Sequence, residues 1–209
     1  MIIVSLSDSL ATFNAGAAQC ESLISNAHMV DAAGNHLLPE IDRKQITCGA
    51  FLNLFVAWET FLEDAFAKFM IGEPTITGRT PVKFAAPANI VSAKKMIIGV
   101  NRYFDFGNHE LVKRMACLYF DGGEPFEPHL SSILSDLADL RTMRNASAHL
   151  TSTTQSALES LAQRIFSTPR PRIDLYTMLT SGDPASTVGN TVFAERKGLL
   201  LAAAQLIAT

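Results

Sequence analysis

Three residues late in the chain have types and spacing that suit chemistry at a phosphate. Asn145 directly follows Arg144, and four residues lie between Arg144 and His149. An imidazole exchanges protons near neutral pH and can act as a general base or a general acid. A guanidinium holds a phosphate through two parallel hydrogen bonds and stabilises charge that grows in a transition state. Asn145 can orient either the phosphate or the imidazole, so the group predicts phosphate binding combined with proton transfer.

Helical spacing also places charged residues on two apolar faces. With Leu137 as the centre of the stripe from Leu130 to Leu140, Arg144 falls roughly 20° and Arg141 roughly 40° from that centre. Glu59 falls about 40° from the centre of the aromatic stripe of its own helix. Burying an unpaired charge is costly, so we predict an ion pair between Glu59 and one of the two arginines. The structural alternative is a helix end at the rim of the bundle, where arginine stems reach solvent.

The residues from Arg144 to His149 resemble the signature of HEPN domains, in which four to six residues lie between an arginine and a histidine and a polar residue follows the arginine. The acidic segment 58–64 also resembles the first core helix of such domains. The resemblance covers most of the region from about residue 7 to residue 166, with the six residues from Arg144 to His149 as its specific part. It implies an all-α bundle with metal-independent ribonuclease activity. It implies catalytic roles for Arg144, Asn145 and His149. From their place on the stripes, we assign Arg141 and Glu59 a supporting or substrate-binding role.

A second arginine–histidine pair with similar spacing runs from Arg102 to His109. Tyr103, rather than a small polar residue, follows this arginine, and Gly107 interrupts the helical pattern between the two ends. We therefore assign the chemistry to the later pair.

The angle between the two residues of the later pair leaves two arrangements open. On an ideal helix, Arg144 and His149 point roughly 140° apart, whereas Asn145 and His149 share a face. Either the turn distorts near Ala148, or two copies of the helix form one cleft. The HEPN resemblance implies the second arrangement, since such ribonucleases form dimers with paired motifs, and we expect a homodimer.

The elements that must position these residues are helices, because apolar spacing near 3.6 recurs and sustained alternation is absent. We predict one HEPN-like α-helical domain over residues 1–209, with a core at 7–166 and a final helix at 191–207. Glycines and prolines predict two irregular segments, at about 71–90 and 167–190. The predicted helices before the final one cover residues 7–28, 40–70, 92–104, 110–120, a helix from 128 that continues through the motif, and 155–166.

Composition excludes several classes of protein. The 209 residues are 48% hydrophobic with a net charge of −3, which argues against a disordered chain and against a protein that coats nucleic acid through bulk positive charge. The three cysteines lie far apart, and the histidines lack ligand spacing, so we expect no metal and no cofactor. Neither a signal segment nor a stretch long enough to cross a membrane is visible, so we expect a cytoplasmic location with no membrane partner.

These expectations combine into a metal-independent endoribonuclease that attacks RNA through its 2′-hydroxyl, as an effector of a toxin–antitoxin or phage-defence system. RNA would be its substrate, and an antitoxin or regulatory protein its possible partner. The alternative is a HEPN-like module that binds a protein or RNA without catalysis. A helical small-molecule sensor is a third interpretation, which no motif supports. The resemblance to one common HEPN subtype would imply a tyrosine close behind the histidine that a nucleotidyltransferase partner modifies. No tyrosine closely follows His149, so we do not expect that partner.

Overall fold

The computed structural model describes residues 5–148 and 151–209. Within these ranges the chain is all-α, as predicted, and its only strand-like features are isolated β-bridges. The helices are α1 Leu6–Ala27, α2 Glu40–Ile71, α3 Ile90–Ile98, α4 His109–Tyr119, α5 Phe126–Ser132, α6 Leu134–Ala148, α7 Ser152–Phe166, α8 Leu175–Thr180 and α9 Val192–Ala208, with a 3₁₀ turn at Asp121–Gly123.

The described chain groups into two compact units. The first contains the residues up to Ala15 together with Ala57–Leu137 and Leu200–Thr209. The second contains Gly16–Val56 and Ala138–Leu199. The single HEPN-like domain remains a prediction from the sequence.

The longest helix, α2, begins and ends where the sequence predicts. Its first turn contains Glu40 and Asp42, whose negative charges interact favourably with the unpaired N–H groups at a helix N-terminus. It stops at Gly72, which has φ +94° and whose N–H donates to the Phe69 carbonyl. That backbone conformation favours glycine, and an added Cβ would lie 3.1 Å from the Lys83 amine.

Aromatic packing dominates the core of the first unit. The rings of Phe66 and Phe126 stack with centroids 4.9 Å apart, and Phe120 packs against Phe66 at 5.2 Å. Beside them the fully buried Trp58 donates its indole N–H to Nε2 of His109, at 2.9 Å. This hydrogen bond joins α2 to the first turn of α4, so both elements are held by a polar contact inside an apolar core.

The helix predicted to start near residue 128 and run through the motif is in fact two helices. α5 ends at Ser132, and Ile133, with φ −123° and ψ 20°, separates it from α6. The break resets the helical phase, so an apolar stripe measured across it does not describe α6.

The two predicted irregular segments are present. Residues 72–89 contain no helix, whereas the later segment, between α7 and α9, contains the short α8. The Asp174 side chain caps α8 by accepting from the Thr177 N–H at 2.7 Å, which explains a helix inside a proline-rich stretch. None of the described helices combines the length and apolarity needed to span a membrane.

Candidate functional site

Arg144 and Asn145 lie in the C-terminal part of α6, in the second unit. The buried face of this part of the chain consists of Leu137, Asp139, Leu140, Met143 and Ala146. Angular positions at 100° per residue place Arg144 roughly 80° from the centre of that face. Its side chain is accordingly half-buried rather than buried.

Arg144 and Asn145 contact each other directly. The Nη1 group of Arg144 donates to the Oδ1 atom of Asn145 at 3.4 Å, and both side chains are half-buried. A guanidinium has five N–H donors in a planar fork, so one bond to an amide leaves capacity for a bidentate phosphate contact. His149 lies outside the described residues, so its predicted role remains a prediction.

The prediction that both arginines lie on the buried face is wrong for Arg141, which is exposed. The break at Ile133 is the cause, because it rotates the buried face by roughly 100° and leaves Arg141 roughly 140° from its centre. Glu59 is half-buried on α2, in the first unit, whereas both arginines lie in the second. The ion pair between Glu59 and one of the arginines therefore remains a prediction.

The buried charge on α6 is an aspartate that sequence reasoning missed. Asp139 is 4% exposed and forms ion pairs with Arg164 of α7 and, at 4.0 Å, with Arg196 of α9. The two cations compensate the energetic cost of removing the Asp139 carboxylate from water. Without such partners a buried charge would be strongly destabilising. Asp139 has helical spacing with Met143 and Ala146, which indicates that all three share one face. That pattern is visible in the sequence only if the helical positions are counted from the start of α6.

Two of the other histidines are committed to structural hydrogen bonds. His28 Nδ1 lies 2.8 Å from the Ile24 carbonyl and therefore donates, while Nε2 lies 3.2 Å from the Tyr176 hydroxyl. His109 accepts from Trp58, because an indole N–H can only donate. The second arginine–histidine pair thus ends at a buried core residue.

The thiols of Cys20 and Cys48, the two more buried cysteines, are poor nucleophiles. Burial raises the pKa of Cys20, and it raises the pKa of Cys48 to about 11. A thiol with a raised pKa holds little thiolate at neutral pH, and the thiolate is the reactive form. Among the described residues no group of three or more potential ligands of the His, Cys, Asp or Glu type is placed to hold a metal ion.

The structure therefore brings together two of the five residues singled out from the sequence, Arg144 and Asn145. Arg141 shares their helix but faces outward, and Glu59 belongs to the other unit. Comparisons of the chain with models of protein families, with curated proteins and with solved structures find no match.

Proposed function

We propose that this chain is a metal-independent endoribonuclease of the HEPN type, with Arg144, Asn145 and His149 as its catalytic residues. The observation that carries the proposal is the contact between the half-buried Arg144 and Asn145 side chains at the end of α6. A residue pair in this position can hold a phosphate at the surface, and the histidine required for proton transfer follows four residues later in the chain.

The reaction needs a base, an acid and a phosphate clamp. A base removes the proton of the ribose 2′-hydroxyl, whose oxygen attacks the adjacent phosphorus while the bond from phosphorus to the 5′-oxygen breaks. The leaving 5′-oxygen takes a proton, and the products are a 2′,3′-cyclic phosphate and a 5′-hydroxyl. His149 supplies proton transfer and Arg144 stabilises the added negative charge on the phosphate.

A homodimer completes this proposal, because paired motifs supply one histidine as base and another as acid. Arg141, which is exposed on α6, would contact the RNA backbone beside the clamp, and Glu59 would support the arginines. We further propose a cytoplasmic toxin or phage-defence effector that an antitoxin protein restrains. Such control would be needed because unrestrained RNA cleavage harms the cell that makes the enzyme.

The test is cleavage of single-stranded RNA by the purified protein in the presence of EDTA. We expect products that end in a 2′,3′-cyclic phosphate. His149→Ala should lower the rate by roughly 10² to 10⁴ through loss of proton transfer. Arg144→Ala should lower the rate by about 10² to 10³ through loss of charge stabilisation.

His36→Ala is the matched control, because His36 is an exposed histidine outside the motif and its removal should leave the rate unchanged. Circular dichroism of each variant verifies folding. Cleavage that survives His149→Ala would eliminate the catalytic assignment. Absence of cleavage on several RNAs, together with tight binding of a partner protein, would favour the interaction-module alternative.

A further inference from the structure

Positive charge is concentrated in one part of an acidic chain. Residues 77–120, which include α3 and α4, contain seven lysines and arginines but only two acidic residues, a net charge of +5. The whole chain has a net charge of −3. This stretch lies within the first unit and is fully described.

Several of these cations are already neutralised by carboxylates. Lys94 lies 2.8 Å from Glu63 and 3.3 Å from Asp64, Arg79 pairs with Glu124, and Lys113 lies near two glutamates. Three others are exposed and form no ion pair within residues 5–148 and 151–209: Lys95, Arg102 and Arg114. Exposed cations without a carboxylate are available to an anionic partner.

Aromatic side chains are exposed next to these cations. Tyr103, which follows Arg102 in the chain, is 74% exposed, and Phe84 is 65% exposed. Val100 and Leu118 add apolar surface with exposures of 104% and 63%. Burying an exposed ring against a partner contributes strongly to binding, and clustered exposed apolar side chains often mark an interaction site.

Hydrogen bonds hold these segments side by side. The Phe84 N–H donates to the Tyr119 carbonyl at 2.9 Å, and the Tyr119 hydroxyl donates to the Met96 carbonyl at 3.1 Å. The end of α4 therefore joins the loop that contains Phe84 to the α3 turn that contains Lys95. Arg114 and Leu118 are one helical turn apart on the exposed side of α4.

Tyr103 also lines a small open pocket with Phe104, Phe106, Ile97 and Lys94. Its volume is about 100 Å³, whereas pockets for drug-sized ligands have roughly 300 to 1,000 Å³. The pocket therefore suits insertion of a single ring rather than a complete small-molecule ligand.

We propose that this surface, formed by Phe84, Lys95, Arg102, Tyr103 and Arg114 and named here the α3–α4 surface, binds single-stranded RNA. Exposed rings on which bases stack, flanked by cations that contact phosphates, are the elements from which single-strand binding surfaces are built. The positive charge favours a polyanion over an apolar peptide. The choice of RNA among polyanions rests on the proposed ribonuclease function.

The first experiment measures binding of a 2′-O-methyl oligonucleotide by fluorescence anisotropy at several salt concentrations. This probe has no free 2′-hydroxyl, so the measurement does not depend on whether the protein cleaves RNA. For single strands, log K falls with log salt with a slope of about −0.7 per neutralised phosphate. Three cations predict a contribution to the slope of about −2, and Lys95→Gln, Arg102→Gln and Arg114→Gln should each remove about 0.7 of it.

The second experiment separates base stacking from nonspecific apolar contact. Tyr103→Leu keeps an apolar side chain but removes the ring, and we expect Kd to rise by about 5- to 100-fold. Tyr103→Phe keeps the ring and should bind like the wild type. Because Tyr103 is largely exposed, neither variant should alter the circular dichroism spectrum.

Arg172→Gln is the matched control for charge, since Arg172 is an exposed arginine in the second unit. The probe cannot be cleaved through a 2′-hydroxyl, so loss of cleavage and loss of binding remain separate outcomes. Absence of binding, or equal weakening by Arg172→Gln and Arg102→Gln, would overturn the proposal. Binding of phosphatidylserine vesicles that Tyr103→Leu leaves unchanged, without binding of the oligonucleotide, would identify a membrane surface instead and would equally overturn it.

Discussion

The end of α6 and the α3–α4 surface present charge in opposite ways. On α6, Arg144 already contacts its neighbour Asn145, and the buried Asp139 is enclosed by arginines of α7 and α9. On the α3–α4 surface, cations without a carboxylate lie beside exposed rings. Reactive groups need fixed partners to orient them, whereas a binding surface needs groups that a ligand can still engage. The contrast is the one expected if, as proposed, the end of α6 carries the chemistry and the α3–α4 surface carries recognition.

The largest expected effect is a separation of kinetic parameters between the two regions. His149→Ala should lower kcat by roughly 10² to 10⁴ while KM stays within a factor of two to three. Tyr103→Leu should raise KM by about 5- to 100-fold with kcat unchanged, because stacking is equal in ground and transition states. Steady-state cleavage of a fluorogenic oligoribonucleotide at several concentrations measures both. A fall in kcat with Tyr103→Leu would break the comparison, since it would place Tyr103 in the reaction itself.

The second effect concerns stability and distinguishes paired charge from unpaired charge. Asp139→Ala should lower the free energy of unfolding by about 3 kcal/mol, because it removes a buried carboxylate that is paired with Arg164 and with the largely buried Arg196. Arg114→Gln should change the free energy of unfolding by no more than about 0.5 kcal/mol, as expected of an exposed residue. Urea unfolding followed by circular dichroism measures both. Equal losses in the two variants would show that the cations of the α3–α4 surface are structural after all.

The smallest expected effect is a dependence of the stability of the second unit on pH. Burial alone would raise the pKa of Asp174, but hydrogen bonds from Thr177 and the ion pair with Lys44 outweigh it and hold the pKa below its usual value of 3.8. The unfolded chain therefore takes up this proton first as the pH falls, so the stabilisation is complete above about pH 5 and is lost progressively below pH 4.

Asp174→Asn isolates this contribution, since asparagine caps a helix as well as aspartate does. With a side chain 43% exposed, the ion pair with Lys44 should contribute about 0.2 to 1 kcal/mol at neutral pH. The variant should lose that amount at pH 7 and approach the wild type near pH 3. A difference that stays constant between those pH values would contradict the assignment of the effect to charge.

The positions of the helices could be predicted from the sequence because apolar spacing and breakers act locally. The predicted limits of the first two and the last helix agree with α1, α2 and α9 to within about two residues, the usual uncertainty of helix ends. The break at Ile133 could not be predicted, because its neighbours continue an apolar pattern on both sides. That single break changed which charged residue on α6 is buried.

The partners of polar residues were the least predictable feature. The bond between Trp58 and His109 joins residues 51 positions apart, and no local pattern indicates it. The α3–α4 surface could not be predicted from the sequence either, because residue type does not show whether an aromatic side chain is exposed or buried. The sequence did single out Arg144 and Asn145, whose side chains are in contact, whereas their catalytic role stays a prediction.

The bond between Trp58 and His109 also gives the protein an internal optical probe. Trp58 is the only tryptophan in the chain, and it is fully buried between α2 and α4. Movement of α4 away from α2 would admit water to the indole and shift its emission to longer wavelength. Since α4 contributes Arg114 to the α3–α4 surface, fluorescence of the unlabelled protein would report whether occupation of that surface disturbs the core beneath it.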